Sequence, residues 1–346
     1  MHLPRIVTAA LLLAGLSLPS LAVETSRVLT RESVIARFAD ADSKFVDVDG
    51  INLHYKDQGS GPVVLLVHGT MGDLADWDGW AAVLSKRYRV LRFDMPAFGL
   101  SGRMRAGNYS ADRMHSLIDA FMDQMGAERF AIAGTSYGGL VSFRYAATRT
   151  ERVTALILAN SAGIEYGKGP TVPAAASAPT ASPAPAPAPA PAPALAPASA
   201  PKQSNIFWDS VVSAADVELN LRHVLFNQSL VTPLMVERKL AFTNMVGRGE
   251  ESVAGRVLYE RGDPVRVLSH VRAPALVLWG SSSKALNPKT ANAFVDAMKN
   301  ACRTELLTYT EAGHLLIVDK PAQSVADAMA FLDKLPTTAC RTAAKN

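Results

Sequence analysis

The sequence predicts an α/β fold: a mostly parallel central sheet with helices on both faces, and a helical cap inserted after the sixth strand. Three observations carry this expectation. Apolar runs near 63–68, 88–94, 130–135, 153–160, 275–280 and 304–310 alternate with helical stretches, the pattern of strands joined by crossover helices. The run beginning at Phe130 passes straight into Gly134-Thr-Ser136-Tyr-Gly138 and then into a helical pattern. More than a hundred residues separate the strands 153–160 and 275–280, which leaves room for an inserted unit.

In chain order, residues 1–22 read as a secretory signal peptide: Arg5, an apolar run over 6–18, then the small-x-small site Ser20-Leu-Ala22, with the mature chain starting near Val23. The alternative is an uncleaved anchor, but the run is shorter than the roughly 18 apolar residues of a spanning helix. Residues 23–43 form a lead segment. The first part of the core, 44–166, opens with a β-hairpin over 44–57 that turns at Asp49-Gly50, a dipeptide suited to two left-handed residues. Residues 167–202 are a low-complexity insertion. Within it, 173–201 is an uncharged alanine-proline run that cannot bury a core, so it is expected to be extended and polyproline-like, an inert spacer rather than a docking ligand. The cap is expected over 203–264, from helical patterns at 208–227 and 233–244. Phe207, Trp208, Phe226, Met235, Phe242 and Met245 give it an apolar inner face, with one or two of them expected to line a pocket. The second part of the core, 265–335, ends in an amphipathic helix over 321–332, and 336–346 is a tail.

The chemistry begins at Ser136. A serine on a sharp strand-to-helix turn, with glycines two before and two after, is a nucleophile elbow, because the small neighbours leave the hydroxyl open to a substrate. A hydroxyl is a weak nucleophile without a base. His314, in Glu311-Ala-Gly-His314 at the end of the strand 304–310, has the context of that base. His54, His115, His223 and His270 lie in amphipathic or polar stretches and read as surface or packing residues. The buried run 63–67 followed by His68-Gly69 supplies an oxyanion loop, in which the backbone N–H groups of Thr70 and Tyr137 would converge on one oxygen and His68 is structural.

Together His68-Gly69, the motif Asp94-Met-Pro-Ala-Phe-Gly-Leu-Ser101, the elbow at Ser136 and Gly313-His314 resemble the α/β-hydrolase superfamily, in its serine-nucleophile, capped esterase/lipase-like branch. The resemblance runs from about Phe45 to about Leu335, apart from the insertion. It is specific for fold and much less so for substrate. A serine at the elbow departs from the epoxide hydrolases and dehalogenases, which carry aspartate there. The resemblance also implies a triad acid, in a pattern similar to W-G-x-x-D, and here Trp279-Gly280 is followed by Ser281-Ser-Ser283. Ser283 stands where the aspartate is expected. Some relatives place the acid one strand earlier, where this chain has Asn160-Ser161, with Glu165 the nearest carboxylate downstream. Three readings follow: a weak Ser-His hydrolase oriented by Ser283, an active hydrolase with its acid elsewhere, or a binding protein on a decayed enzyme scaffold.

Composition sets the remaining expectations. Net charge is +4, or +3 once Arg5 leaves with the leader, with 34 basic against 31 acidic residues. Basic residues are dispersed without interleaved aromatics, so no nucleic-acid partner is expected. No metal-ligand cluster and no phosphate-cradling loop occur, and no cofactor is expected. Cys302 and Cys340 are an even count in a chain expected to be exported to the periplasm or secreted, which invites pairing, and the sequence leaves open whether they pair. The expected activity is hydrolysis of an ester-like bond in a small, largely apolar molecule through an acyl-enzyme, with acyl transfer or perhydrolysis on the same residues as the alternative. No stable membrane span is expected after the leader is cut.

Overall fold

The computed structural model describes residues 29–104, 109, 111–164, 212–245 and 262–335. The signal peptide, the alanine-proline insertion, Phe207, Trp208, Glu165, Cys340 and the tail lie outside the described residues.

The first half of the chain runs α1 (Arg31–Phe38), β1 (Lys44–Val48), β2 (Ile51–Gln58), β3 (Val63–Val67), α2 (Asp78–Leu84), β4 (Arg89–Phe93), α3 (Ala111–Gln124), β5 (Phe130–Ser136), α4 (Tyr137–Thr148) and β6 (Val153–Ser161). After it come α5 (Ala214–Val224), α6 (Pro233–Thr243), α7 (Pro264–Leu268), β7 (Ala275–Gly280), α8 (Thr290–Ala297), β8 (Thr304–Tyr309), α9 (Leu316–Asp319) and α10 (Pro321–Leu332). Eight strands form one sheet in the order β1-β2-β4-β3-β5-β6-β7-β8. The β1–β2 and β2–β4 pairs are antiparallel, and the other pairs are parallel. The hairpin turns where expected, because Asp49 and Gly50 both take positive φ, 52° and 79°.

Successive strand residues point to opposite faces, so the buried strands feed two cores. On one side Leu65, Val67, Ile132, Val277 and Trp279 pack with Leu117 and Phe121 of α3, Val141 of α4 and Phe294 of α8. On the other, Val64, Leu66, Ala133 and Leu276 pack with Trp80 and Leu84 of α2 and Val325 and Phe331 of α10. Burying each such aliphatic side chain contributes about 1.5–3 kcal/mol. Trp80 Nε1 also donates to Ser324 Oγ at 2.9 Å, which locks α2 to α10.

The cap follows β6. Ser213 and Asp216 form a capping box at the start of α5, and Thr232 caps α6 ahead of a first-turn proline. Val217 and Leu221 of α5 pack against Met235 and Leu240 of α6, and Met71 of the core joins that cluster. Two features differ from the sequence expectation. The lead segment is a structural element: Val34 of α1 buries with Leu100, Phe242 and Met245, and Leu29 bridges to Met245. Phe242 and Met245 are therefore committed to α1. Phe226 is 45% exposed, because it lies past the end of α5, where its backbone turns to the core. Cys302 is disulfide-bonded.

Candidate active site

At the β5–α4 junction Ser136 is held at φ 51°, ψ −121°, a conformation costing a non-glycine residue about 1–3 kcal/mol. Two glycines make the turn possible. A Cβ on Gly134 would lie 2.2 Å from Gly138 O, and one on Gly138 would lie 2.3 Å from His68 O. Met71, Ala97, Ser136, Asn160 and Glu311 all have positive φ, and each belongs to a loop or strand end bordering the site.

Ser136, Thr70, Tyr137 and His314 line one cavity of about 460 Å³. Its walls are largely apolar: Met71, Phe98 and Met114 from the core, Val217 and Leu221 from the cap, and Leu286 from the loop after β7. Gly69 presses against Ser136, since a Cβ there would stand 2.8 Å from Ser136 Cβ. His68 shapes this loop from beneath. Its Nε2 accepts from Met95 N–H at 2.8 Å, which leaves Nδ1 as the donor to Gly69 O at 2.7 Å. Asp94 is buried and accepts from the N–H groups of Leu74 and Leu100, each at 2.7 Å, so this motif builds the wall bearing Pro96 and Phe98.

His314 sits between β8 and α9, almost wholly buried. Burial, with the neighbouring charge of His223 on the cap, pushes its pKa down to about 4. Its Nδ1 has no hydrogen-bond partner among the described residues. Ser283 does not meet it: the Ser283 hydroxyl accepts from Leu286 N–H at 3.2 Å, closing the loop after β7. The geometry therefore gathers Ser136, Thr70, Tyr137 and His314 around one space and leaves Ser283 bonded to its own loop.

Four residues around the site carried no functional assignment in the sequence reading. His223, Lys239 and Asp76 line the cavity. Lys239 of α6 donates to Asp73 at 2.9 Å and Asp76 at 2.7 Å, and Arg238 donates to Asp73 at 2.8 Å. Burial opposes charge throughout this cluster, yet Lys239 and Arg238 hold Asp73 below the usual carboxylate range. Burial, assisted by the charge of Asp73, holds Asp76 above it. A local signal existed in the Asp73-x-x-Asp76 spacing, which forms a capping box on a short turn at Leu74–Trp77. The fourth residue is Asn160, fully buried at the end of β6.

Residues 62–321 match the alpha/beta hydrolase fold family, and the chain belongs to it. Among similar proteins, haloalkane dehalogenase 2 of Mycobacterium tuberculosis (strain ATCC 25618 / H37Rv) is 32% identical over 120 residues, 35% of this chain and 42% of the relative. The chain thus matches less than half of that relative's length. In structure, a membrane phospholipase A described as a bacterial virulence factor superposes with a TM-score of 0.67 at 22% identity, covering 86% of this chain and 87% of the other. The meta-cleavage product hydrolase of Pseudomonas fluorescens IP01 does so with a TM-score of 0.67 at 20% identity, covering 85% and 98%. These three are hydrolases. No helix among the described residues is long and apolar enough to cross a membrane.

Proposed function

We propose that the protein is an exported serine hydrolase that cleaves an ester-like bond of a small apolar molecule through an acyl-enzyme. The observation that carries the reading is the strained Ser136 at the N-terminus of α4, opening with His314 into one apolar cavity. Ser136 Oγ attacks the carbonyl carbon as His314 takes its proton, and the N–H groups of Thr70 and Tyr137 receive the charge on the carbonyl oxygen. His314 then returns the proton to the leaving alkoxide, and the alcohol departs. Water attacks the acyl-serine, gives a proton to His314 and releases the acid, and the proton goes back to Ser136.

Nucleophile chemistry separates this reading from dehalogenation. Serine displacing a halide would form an ether, which water does not reopen, whereas an acyl-serine hydrolyses. The disulfide at Cys302 supports an oxidising compartment and so supports export. A leader cut would place the mature N-terminus near Val23, which sequencing of that terminus checks.

The Nδ1 of His314, without a partner among the described residues, favours a slow enzyme, since no described group there stabilises the imidazolium formed in the first step. It also favours, as a second reading, a binding protein that keeps the fold without the turnover. A fluorophosphonate separates the two: stoichiometric labelling at Ser136 is expected of the hydrolase, and an unlabelled Ser136 overturns it. A series of aryl esters of rising acyl length then measures what the cavity accepts.

A further inference from the structure

Asn160 is the residue that β6 leaves out of its pairing with β5. Thr135 pairs with Ala159 and Ser136 with Ser161, so Asn160 is the extra residue of a bulge. It takes a left-handed φ of 42°, which asparagine tolerates better than most residues. A bulge re-aims a side chain, and this one leaves the ladder and turns to the base loop.

There the carboxamide meets three backbone groups. Nδ2 donates to Gly313 O at 2.8 Å and to His314 O at 2.7 Å, and Oδ1 accepts from Gly280 N–H at 3.0 Å. The partners fix which end is which, because carbonyls only accept and an N–H only donates. Two residues on, Ala162 N–H donates to Ser136 O at 2.9 Å. One bulged strand end therefore grips the backbone of the nucleophile and that of the base.

We propose that Asn160 is a positioning residue that sets the distance between Ser136 and His314 by holding both backbones to the end of β6. This rests on the reading of those two residues as nucleophile and base. An amide is required because the site offers two acceptors and one donor. A carboxylate at this position would face two carbonyl oxygens while buried, an arrangement with no partner for its charge. Asn160 is thus a clamp on the loop rather than an acid position that lost its charge.

The test compares the mature protein with Asn160→Asp and Asn160→Gly on an activated aryl ester across pH, alongside an NMR titration of the His314 ring. Glycine accepts the left-handed backbone without strain, so it removes the hydrogen bonds and keeps the bulge. Both variants are expected to lose about tenfold or more in kcat with little change in KM, the signature of misplaced reacting groups rather than lost binding. In Asn160→Gly the His314 titration is expected to climb from about 4 toward the ordinary histidine value as the loop loosens. If Asn160→Asp does not fold, the glycine variant decides. Turnover of Asn160→Asp equal to or above the parent overturns the clamp, as does a folded Asn160→Gly with parental kcat and an unchanged titration. A parent protein that refuses the fluorophosphonate overturns the hydrolase reading, and the titration alone then decides the clamp.

Discussion

Lys239 of the cap and Asp76 of the loop after β3 meet with 2.7 Å between Nζ and Oδ1, both side chains buried. With Asp73 and Arg238 they make a charged joint between the cap and the loop that brings Thr70 to the cavity. Removing Lys239 leaves the buried Asp76 without a cation, while Asp73 keeps Arg238. Lys239→Met is expected to cost about 3–5 kcal/mol, the range for breaking a buried pair from one side. Urea unfolding measures this, and a loss below about 1 kcal/mol would mean that water already reaches the cluster.

Ser136→Ala is expected to leave the fold intact and abolish hydrolysis of an activated aryl ester. His314→Ala should cost nearly as much, and the double variant no more than either alone, because the two act as a unit. Steady-state kinetics on the three variants check this, and additive losses would contradict a shared mechanism.

Ser283→Asp should raise turnover. The loop bearing Ser283 is already tied to the loop of His314 through Ser282 N–H and Ala312 O at 3.0 Å, and His314 Nδ1 has no partner among the described residues. An anion there would stabilise the imidazolium, for an expected gain of about tenfold or more, below the roughly 10⁴ lost when such an acid is disabled elsewhere. No gain in kcat would show that residue 283 does not reach the ring.

Acid should act on stability through two histidines. Burial pushes His115 and His314 down to about 4 from an ordinary 6.5, so between these values the unfolded chain binds protons that the folded chain does not. Stability is therefore full above about pH 6.5 and falls as pH drops toward 4, by up to about 1.4 kcal/mol per pH unit for each histidine. His115→Gln should flatten that slope in denaturant titrations. For activity, the acid limb of kcat/KM is expected below the ordinary histidine range, near 4, and should move upward in Ser283→Asp.

Elements written locally were legible. The hairpin turn at Asp49-Gly50, the elbow glycines and the apolar strands each owe their structure to neighbours in sequence, so type and spacing sufficed. Asn160 was not legible as a clamp, because its three partners lie in segments more than a hundred residues away. Lys239 reads as an ordinary helix lysine until Asp73 and Asp76 are brought against it. The partner of the cap's apolar residues was legible only in part: Met235 packs inside the cap, whereas Phe242 and Met245 are buried against α1, in a segment whose sequence gave no sign of docking. Ser283 aligned with a motif position, but position in a motif does not say which way a hydroxyl turns.

The pairing of α1 with α6 also bears on the order in which the chain folds. Arg37 and Glu237 meet across that contact, 200 residues apart in sequence. The helix α1 is thus made early, while much of the surface that receives it is made late. Long-range contacts of this kind form slowly. Until α6 arrives, Val34 has Leu100 to bury against but neither Phe242 nor Met245, so α1 stays partly uncovered. Completion of the cap and docking of the first helix are thereby a single late event in folding.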